Sequence, residues 1–225
     1  MAAGSCGTGC ARDHVDLAAT GQDVRVSDSP VASGWRSRRR ALFDEYERVA
    51  LTLFAERGFR NVTIEEVAEV AGVSARTLFR YFPTKDDYLL AFARRELDLT
   101  RSAIAALAPH PSPLPAVWSA VWARFDEDVI DLDGLTLWRA AASDAPDVVD
   151  RIRGEWQEGL IDVVSAYCAV SLGVDSARDA RPRLYGGIIA GANMALIELL
   201  GRSELTRSEL AGAAEAVFRA VSAAI

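Results

Sequence analysis

Along residues 42–54 the apolar positions Leu42, Tyr46, Val49, Ala50, Leu53 and Phe54 recur at the spacing of one helical face, and Gly58 follows as a stop. A second helix opens at a Thr63-x-x-Glu66 capping box and buries Ile64, Val67, Ala68 and Ala71. Gly72 sits where a left-handed residue costs least, and Ser74 caps a third helix two residues later. Leu78 and Phe82 face its core, which leaves Ala75, Arg76, Thr77, Arg80 and Tyr81 outward. Two helices joined by so tight a turn, with a third in front, read as a helix-turn-helix.

Beyond Lys85 a long helix carries Leu89, Leu90, Phe92, Ala93, Leu97 and Ile104 until Pro109, Pro111, Pro113 and Pro115 stop it. The next begins near Pro115 with Trp118, Trp122, Phe125 and Val129 on one stripe, and Gly134 breaks it. A short piece at 135–142 leads to a long helix at 146–172, with Val149, Ile152, Trp156, Leu160, Val163 and Tyr167 on one face and Gly173 as its stop. Helices at 178–201 and 207–224 complete the chain, the last opened by a second capping box, Thr206-x-x-Glu209. The pattern predicts an all-α protein of about nine helices without strands, in two parts: a three-helix helix-turn-helix domain at 34–84 and a larger helical domain at 85–225. Residues 1–33, rich in Gly, Ala, Ser, Asp and Thr, form an expected disordered tail.

Charge changes the weight of the helix-turn-helix. The 225-residue chain carries net −7, which argues against nucleic acid until it is divided by segment. Residues 34–95 carry 12 basic and 9 acidic side chains, against 11 and 19 over 96–225. The cationic excess lies where the motif lies. Arg36, Arg38, Arg39 and Arg40 lead into the first helix, and Arg76 and Arg80 stand on the third, where a guanidinium meets guanine or phosphate. Ala75 is too short to hydrogen-bond a base, although its methyl can meet a thymine. Lys85, the sole lysine, stands at a helix start, a position that favours an anion such as phosphate.

The runs Phe-Ala-Glu-Arg-Gly-Phe at 54–59, Val-Ala-x-x-Ala-Gly-Val-Ser at 67–74 and Thr77-Leu78-Phe79-x-Tyr81-Phe82, with Lys85 after them, resemble the DNA-binding domain of the TetR family of bacterial transcriptional regulators over residues 40–95. The resemblance implies that Ser74, Arg76, Thr77, Arg80 and Tyr81 face the major groove or its phosphates, and that Thr63 and Lys85 touch the backbone. Phe79 departs from the tyrosine common in the family, so that hydroxyl's phosphate contact does not carry over. The family also implies a homodimer built on the last two helices, which here present Ile188, Gly191, Ala192, Ala195, Leu196 and Leu199, then Leu210, Ala213, Ala214, Val217 and Val221. Two subunits related by a two-fold axis read a palindromic operator in double-stranded DNA.

A ligand pocket in the larger domain is implied too, with Trp118, Trp122, Phe125, Trp138, Trp156, Tyr167, Asn193 and Met194 as lining candidates, although aromatics at helical spacing also build ordinary cores. Asn193 and Glu198 either orient a ligand or sit at the dimer seam. The effector is unidentified; Arg-Pro-Arg-Leu at 181–184 and Leu-Gly-Val-Asp at 172–175 are similar to actinobacterial members with an acyl-CoA-like ligand, and the tryptophans suit an aromatic one. The acids Asp126, Glu127, Asp128, Asp131 and Asp133 read as a solvated helix end, with a cationic ligand as the alternative. The expected function is a ligand-released repressor; a ligand-independent nucleoid protein is the second reading, and repressor and activator are not told apart.

Other chemistry is thin. No cofactor motif, phosphate loop, His-Glu-x-x-His or paired nucleophile and base occurs, and the two histidines are His14 and His110, so an enzyme is not expected. Cys6, Cys10 and His14 recur every four residues without matching paired zinc spacings, and no metal site is expected. Cys168 reads as a buried small hydrophobe. The run 184–200 is too short and too polar to span a bilayer, which leaves a cytoplasmic location without a membrane partner as the expectation. Gly187-x-x-x-Gly191 within it predicts a close approach of two helices.

Overall fold

The computed structural model describes residues 30–125, 131–200 and 206–224, and the Cys6, Cys10 and His14 cluster lies outside them. The chain divides within its first helix into a unit ending at Arg39 and a unit comprising Arg40–Ile225. The described elements are all helical: α1 (Pro30–Arg57), a 3-10 turn (Phe59–Asn61), α2 (Ile64–Val70), α3 (Ala75–Phe79), α4 (Asp86–Ala105), α5 (Pro113–Trp122), a 3-10 turn (Ala123–Phe125), α6 (Leu132–Ala141), α7 (Pro146–Leu172), α8 (Arg181–Leu199) and α9 (Arg207–Ala224). Nine α-helices and no strand among the described residues match the all-α expectation. Helix α1 opens at Pro30, so residues 30–33 extend a helix instead of belonging to the tail.

Local chemistry sets the helix-turn-helix. The Thr63 hydroxyl accepts from Glu66 N at 3.2 Å while Glu66 Oε2 accepts from Thr63 N at 2.7 Å, the reciprocal pair that satisfies two orphan amides at the start of α2. Gly72 adopts φ +67°, a left-handed turn open to any neighbour, and Ser74 Oγ then caps α3 by accepting from Thr77 N at 3.2 Å. Helix α3 is shorter than its periodicity predicts and closes at Phe79. Phe82 still reaches the core, because Phe82 N donates to Leu78 O beyond the helix end and its ring is 1% exposed.

Two hydrophobic cores share the unit from Arg40 onward. The first joins Phe54, Val67, Leu78 and Phe82 to Tyr88–Ala91 of α4, to Ala141 of α6, to Ala145 before α7 and to Ile152 of α7. Phe82 stacks on Tyr88 with centroids 4.0 Å apart. The packing of the first three helices thus continues past residue 84 through α4. The second core gathers Ile104, Val117, Trp118, Trp156, Leu160, Val164, Ile189 and Phe218.

Several boundaries move for identifiable reasons. Helix α5 starts at Pro113, in the first turn, where a missing N–H is no loss. Gly134 does not break a helix. The break comes earlier, and Asp131 caps α6 by accepting from Gly134 N at 2.8 Å, which gives one of the supposedly solvated acids a structural role. Helix α8 starts at Arg181, three residues later than expected. The buried stripe of α7 is Val148, Ile152, Trp156, Leu160, Val164 and Cys168, a strict four-residue repeat that leaves Val149, Val163 and Tyr167 half-exposed or at the margin.

The close helix approach falls one residue from the expected glycine pair. A Cβ at Gly186 would lie 2.7 Å from Ile161 O and 2.8 Å from Ser165 Oγ, so α8 backs onto α7 there. Gly187 and Gly191 face open space.

Candidate nucleic-acid interface and effector cavity

The outward face of α3 and its following turn carries the sequence-predicted set. Arg76 and Arg80 are exposed, Ser74 is exposed, and Ala75, Thr77 and Tyr81 are half-buried around Leu78, which is fully buried. Ser74 Oγ and Thr77 Oγ1 lie 2.9 Å apart and fix one another, and the Arg80 guanidinium stands 5.5 Å from the Tyr81 ring centroid. Tyr81 in turn packs edge-on against Tyr46 at 5.3 Å. The face is therefore presented by a rigid backing. Phe79 is 45% exposed, a large apolar side chain on the same turn.

Thr63 is exposed at the cap of α2. The two Thr63 donors, backbone first, hold the Glu66 carboxyl below its usual range. Lys85 is less free than a terminal lysine: its ammonium lies 4.5 Å from the Phe59 centroid and 5.5 Å from that of Phe54. Burial lowers its pKa, although Asp144, Asp86 and Glu66 oppose the shift. Arg40 is exposed and pairs with Asp44 at 3.2 Å. Arg38 and Arg39 are exposed on the part of α1 that belongs to the first unit.

A cavity of about 670 Å³ opens among α4, α6, α7 and α8. Four of the eight expected residues line it: Trp138, Trp156, Asn193 and Met194. Trp118 does not; it stacks on Phe218 of α9 at 4.4 Å in the second core, with Trp122 stacked on it in turn at 6.0 Å. Tyr167 hydroxyl donates to Ala108 O at 2.9 Å, away from the cavity, and the Phe125 side chain lies outside the described residues. Trp138 is oriented from behind, its indole N–H donating to Leu89 O at 2.8 Å. Asn193 is 4% exposed inside the protomer and lines the cavity, and Glu198 lines it beside Arg153.

A link between cavity and helix-turn-helix went unpredicted. Asp144, between the cavity-lining Ser143 and Pro146, accepts from Phe59 N at 2.9 Å and from Arg60 N at 3.1 Å. Its own carbonyl accepts from Arg60 Nε at 2.7 Å, and Arg60 also pairs with Asp147 at 2.5 Å. Burial pushes the Asp144 carboxyl up, but the amides of Arg60 and Phe59 outweigh it and hold the pKa below the ordinary value. Gly58, at φ +88°, makes room for this carboxylate, since a Cβ there would meet Asp144 Oδ2 at 2.9 Å. The glycine was legible as a helix stop; its partner, 86 residues on, was not. Arg95 adds a second bond to the same end, donating to the buried Glu47 of α1 at 2.5 Å. Burial raises the Glu47 pKa against the pull of Arg95.

On the last two helices the expected interface residues separate by burial. Leu196, Leu210 and Ala214 belong to the protomer's own core, because α9 turns its Leu210, Ala214 and Phe218 stripe inward. Ile188 and Ala192 are half-buried, and the Val221 side chain lies outside the described residues. Gly191, Ala195, Leu199 and Val217 face outward, with Leu199 41% and Val217 64% exposed. No helix among the described residues is long and apolar enough to cross a membrane, and no cluster of metal-ligating side chains occurs among them. Cys168 is buried, as its sequence context suggests, and burial pushes its thiol up to about 11.

Residues 48–92 match the family model for bacterial regulatory proteins of the tetR family. The transcriptional regulator RutR of Escherichia coli K12 is 31% identical over 122 residues, 53% of this chain and 57% of that protein, so the chain spans little more than half the length of this relative. The regulator TcmR of Streptomyces glaucescens is 30% identical over 167 residues, 69% of this chain and 71% of that protein. In fold, the chain is similar to a crystal structure described as a transcriptional regulator from Pseudomonas aeruginosa PAO1, with TM-score 0.59 and 20% identity over 90% of this chain and 96% of that one. The chain is a member of the TetR family of bacterial regulatory proteins.

Proposed function

We propose that the protein is a sequence-specific DNA-binding transcriptional regulator, a homodimeric repressor that a small apolar or amphipathic effector releases from a palindromic operator. The exposed Arg76 and Arg80, beside the half-buried Thr77 on α3 and its following turn and backed by Leu78 and Tyr81, carry this reading. Arg76 and Arg80 read base edges or phosphates, and Thr63, Ser74, Tyr81 and Lys85 hold the backbone.

A second copy is needed because one such helix reads only a few base pairs. Leu184, Ile188, Gly191, Ala195 and Leu199 follow one stripe of α8, with Leu184 63% exposed, and this stripe together with Val217 of α9 is the proposed dimer face. The cavity is the proposed effector site. Its tryptophans favour an aromatic effector over an acyl-CoA-like one, and α4 and the Asp144 loop connect it with the helix-turn-helix.

Sequencing the genomic fragments retained by the purified full-length protein tests this function. Retained fragments should share a palindrome whose half-sites lie one helical turn, about 34 Å, or a multiple of it apart. Retention without a shared sequence would favour the nucleoid-type alternative.

A further inference from the structure

The cavity's charged lining is already paired within the protein. Glu96 accepts from Arg124 at 2.7 Å, with the two side chains 25% and 15% exposed. Arg139 donates to the carbonyls of Ile197 and Leu200 at the end of α8, where a cation meets the negative end of the helix. Arg153 lies between Asp150 at 3.7 Å and Glu198 at 3.5 Å. Asp131 is committed to Gly134 N at the start of α6. Each described ionic group on the wall thus has a partner with which a charged ligand would have to compete, most strongly at the part-buried Glu96–Arg124 pair, since Arg153, Asp150 and Glu198 are 43%, 75% and 50% exposed.

One polar group is not satisfied. Asn193 is a cavity-lining residue 4% exposed, and its Oδ1 is buried without a hydrogen bond; Glu47 and Tyr88, which hold the other such oxygens among the described residues, do not line the cavity. A buried amide acceptor left unmade costs about 1–3 kcal/mol, so a ligand that donates to it gains that much over one that does not. Phe92, Trp138, Trp156, Met194 and Ile197 are among the residues of its apolar wall.

We propose that this cavity takes an uncharged, mainly apolar molecule bearing one hydrogen-bonding group of hydroxyl or carboxamide type, which donates to the Asn193 side chain. The proposal rests on reading the cavity as the effector site. It excludes carboxylates, amines and acyl-CoA-like polyanions as the preferred class, because Arg124 and Arg153 are already paired with Glu96 and with Asp150 and Glu198, Arg139 is held by the Ile197 and Leu200 carbonyls, and Asp131 by the Gly134 amide.

The test is a calorimetric titration of the full-length protein at neutral pH with a matched set of probes: 2-naphthol, naphthalene, 2-naphthoate, 2-naphthylmethylamine and butyryl-CoA. 2-Naphthol should bind about tenfold or more tightly than naphthalene and than either charged analogue. In Asn193→Leu the advantage of naphthol over naphthalene should vanish while naphthalene binding persists; Asn193→Ser, with the melting temperature of both variants, guards against loss of fold. Tighter binding of the carboxylate, the amine or the CoA ester, or an unchanged naphthol-to-naphthalene ratio in folded Asn193 variants, would overturn the ligand class while leaving an effector cavity. If no probe binds, or if naphthol binds without changing affinity for retained genomic DNA, the effector-site reading itself falls and the proposal with it.

Discussion

Asp144→Ala removes the carboxylate that accepts the Phe59 and Arg60 amides and leaves a part-buried N–H at Phe59 without its partner. Hydrogen bonds to a charged group contribute about 1.5–3 kcal/mol each, and the exposure of this one argues for the low end. A loss of about 2 kcal/mol is expected, which for a chain of this size lowers Tm by about 4–8 °C. The sign with pH follows from the lowered carboxyl pKa. The folded value lies below the unfolded value of about 3.9, so the stabilisation is fully present above that pH and drains as pH falls through the folded value. Melting curves by circular dichroism should show an unchanged gap between wild type and variant from about pH 7 to pH 5, narrowing below about pH 4. Asp144→Asn, which keeps one acceptor, should fall between them. A gap under about 1 °C at neutral pH, or one that does not narrow in acid, would refute the assignment of this carboxylate as the clamp on the 59–61 turn.

Other consequences are as direct. Tyr88 is fully buried in the first core, its hydroxyl has no hydrogen bond, and burial raises its pKa, so Tyr88→Phe should raise stability by about 1 kcal/mol; a lower urea midpoint would show that the hydroxyl has a partner after all. Gly186→Ala drives a methyl against Ile161 O and should cost about 1–3 kcal/mol, whereas Gly187→Ala, which meets nothing, should be neutral or slightly stabilising; equal thermal shifts would mean that α8 does not approach α7 at residue 186. Cys168, with its thiol pushed up to about 11, should resist a disulfide reagent at pH 8 in a Cys6→Ser, Cys10→Ser background and react in denaturant. Because the unfolded thiol titrates near about 8.5, its contribution to stability is complete below that pH and declines as pH rises toward the folded value, and rapid native labelling would contradict the burial.

What the chain discloses by itself is mostly local. The Thr63 and Thr206 boxes, the Ser74 cap and the stops at Gly58 and Gly173 depend on residues within a few positions of each other, and they stand where their spacing predicts. Long-range partners leave no such mark. Trp118 and Trp156 have the same periodic signature, yet only Trp156 faces the cavity, because α9 brings Phe218 onto Trp118. The outward face of α3 was legible because its alternation is short-range. The Asp144 clamp was hidden for the opposite reason: an aspartate before a proline-led helix reads as an ordinary cap until the Phe59 and Arg60 amides arrive from the other end of the unit. The glycine spacing at 187 and 191 signalled small residues correctly but not which one faces a helix, since a one-residue rotation about α8 decides it.

Titrating the full-length protein against a fluorescent copy of its retained genomic DNA and against a scrambled copy, at several salt concentrations, tests the recognition face most directly. Wild type should prefer the retained sequence about 10³-fold or more at physiological salt. Arg76→Ala together with Arg80→Ala should collapse that preference and, where a phosphate contact is lost, make the salt dependence shallower. The same preference and slope in a folded double variant would contradict the claim that this helix reads DNA.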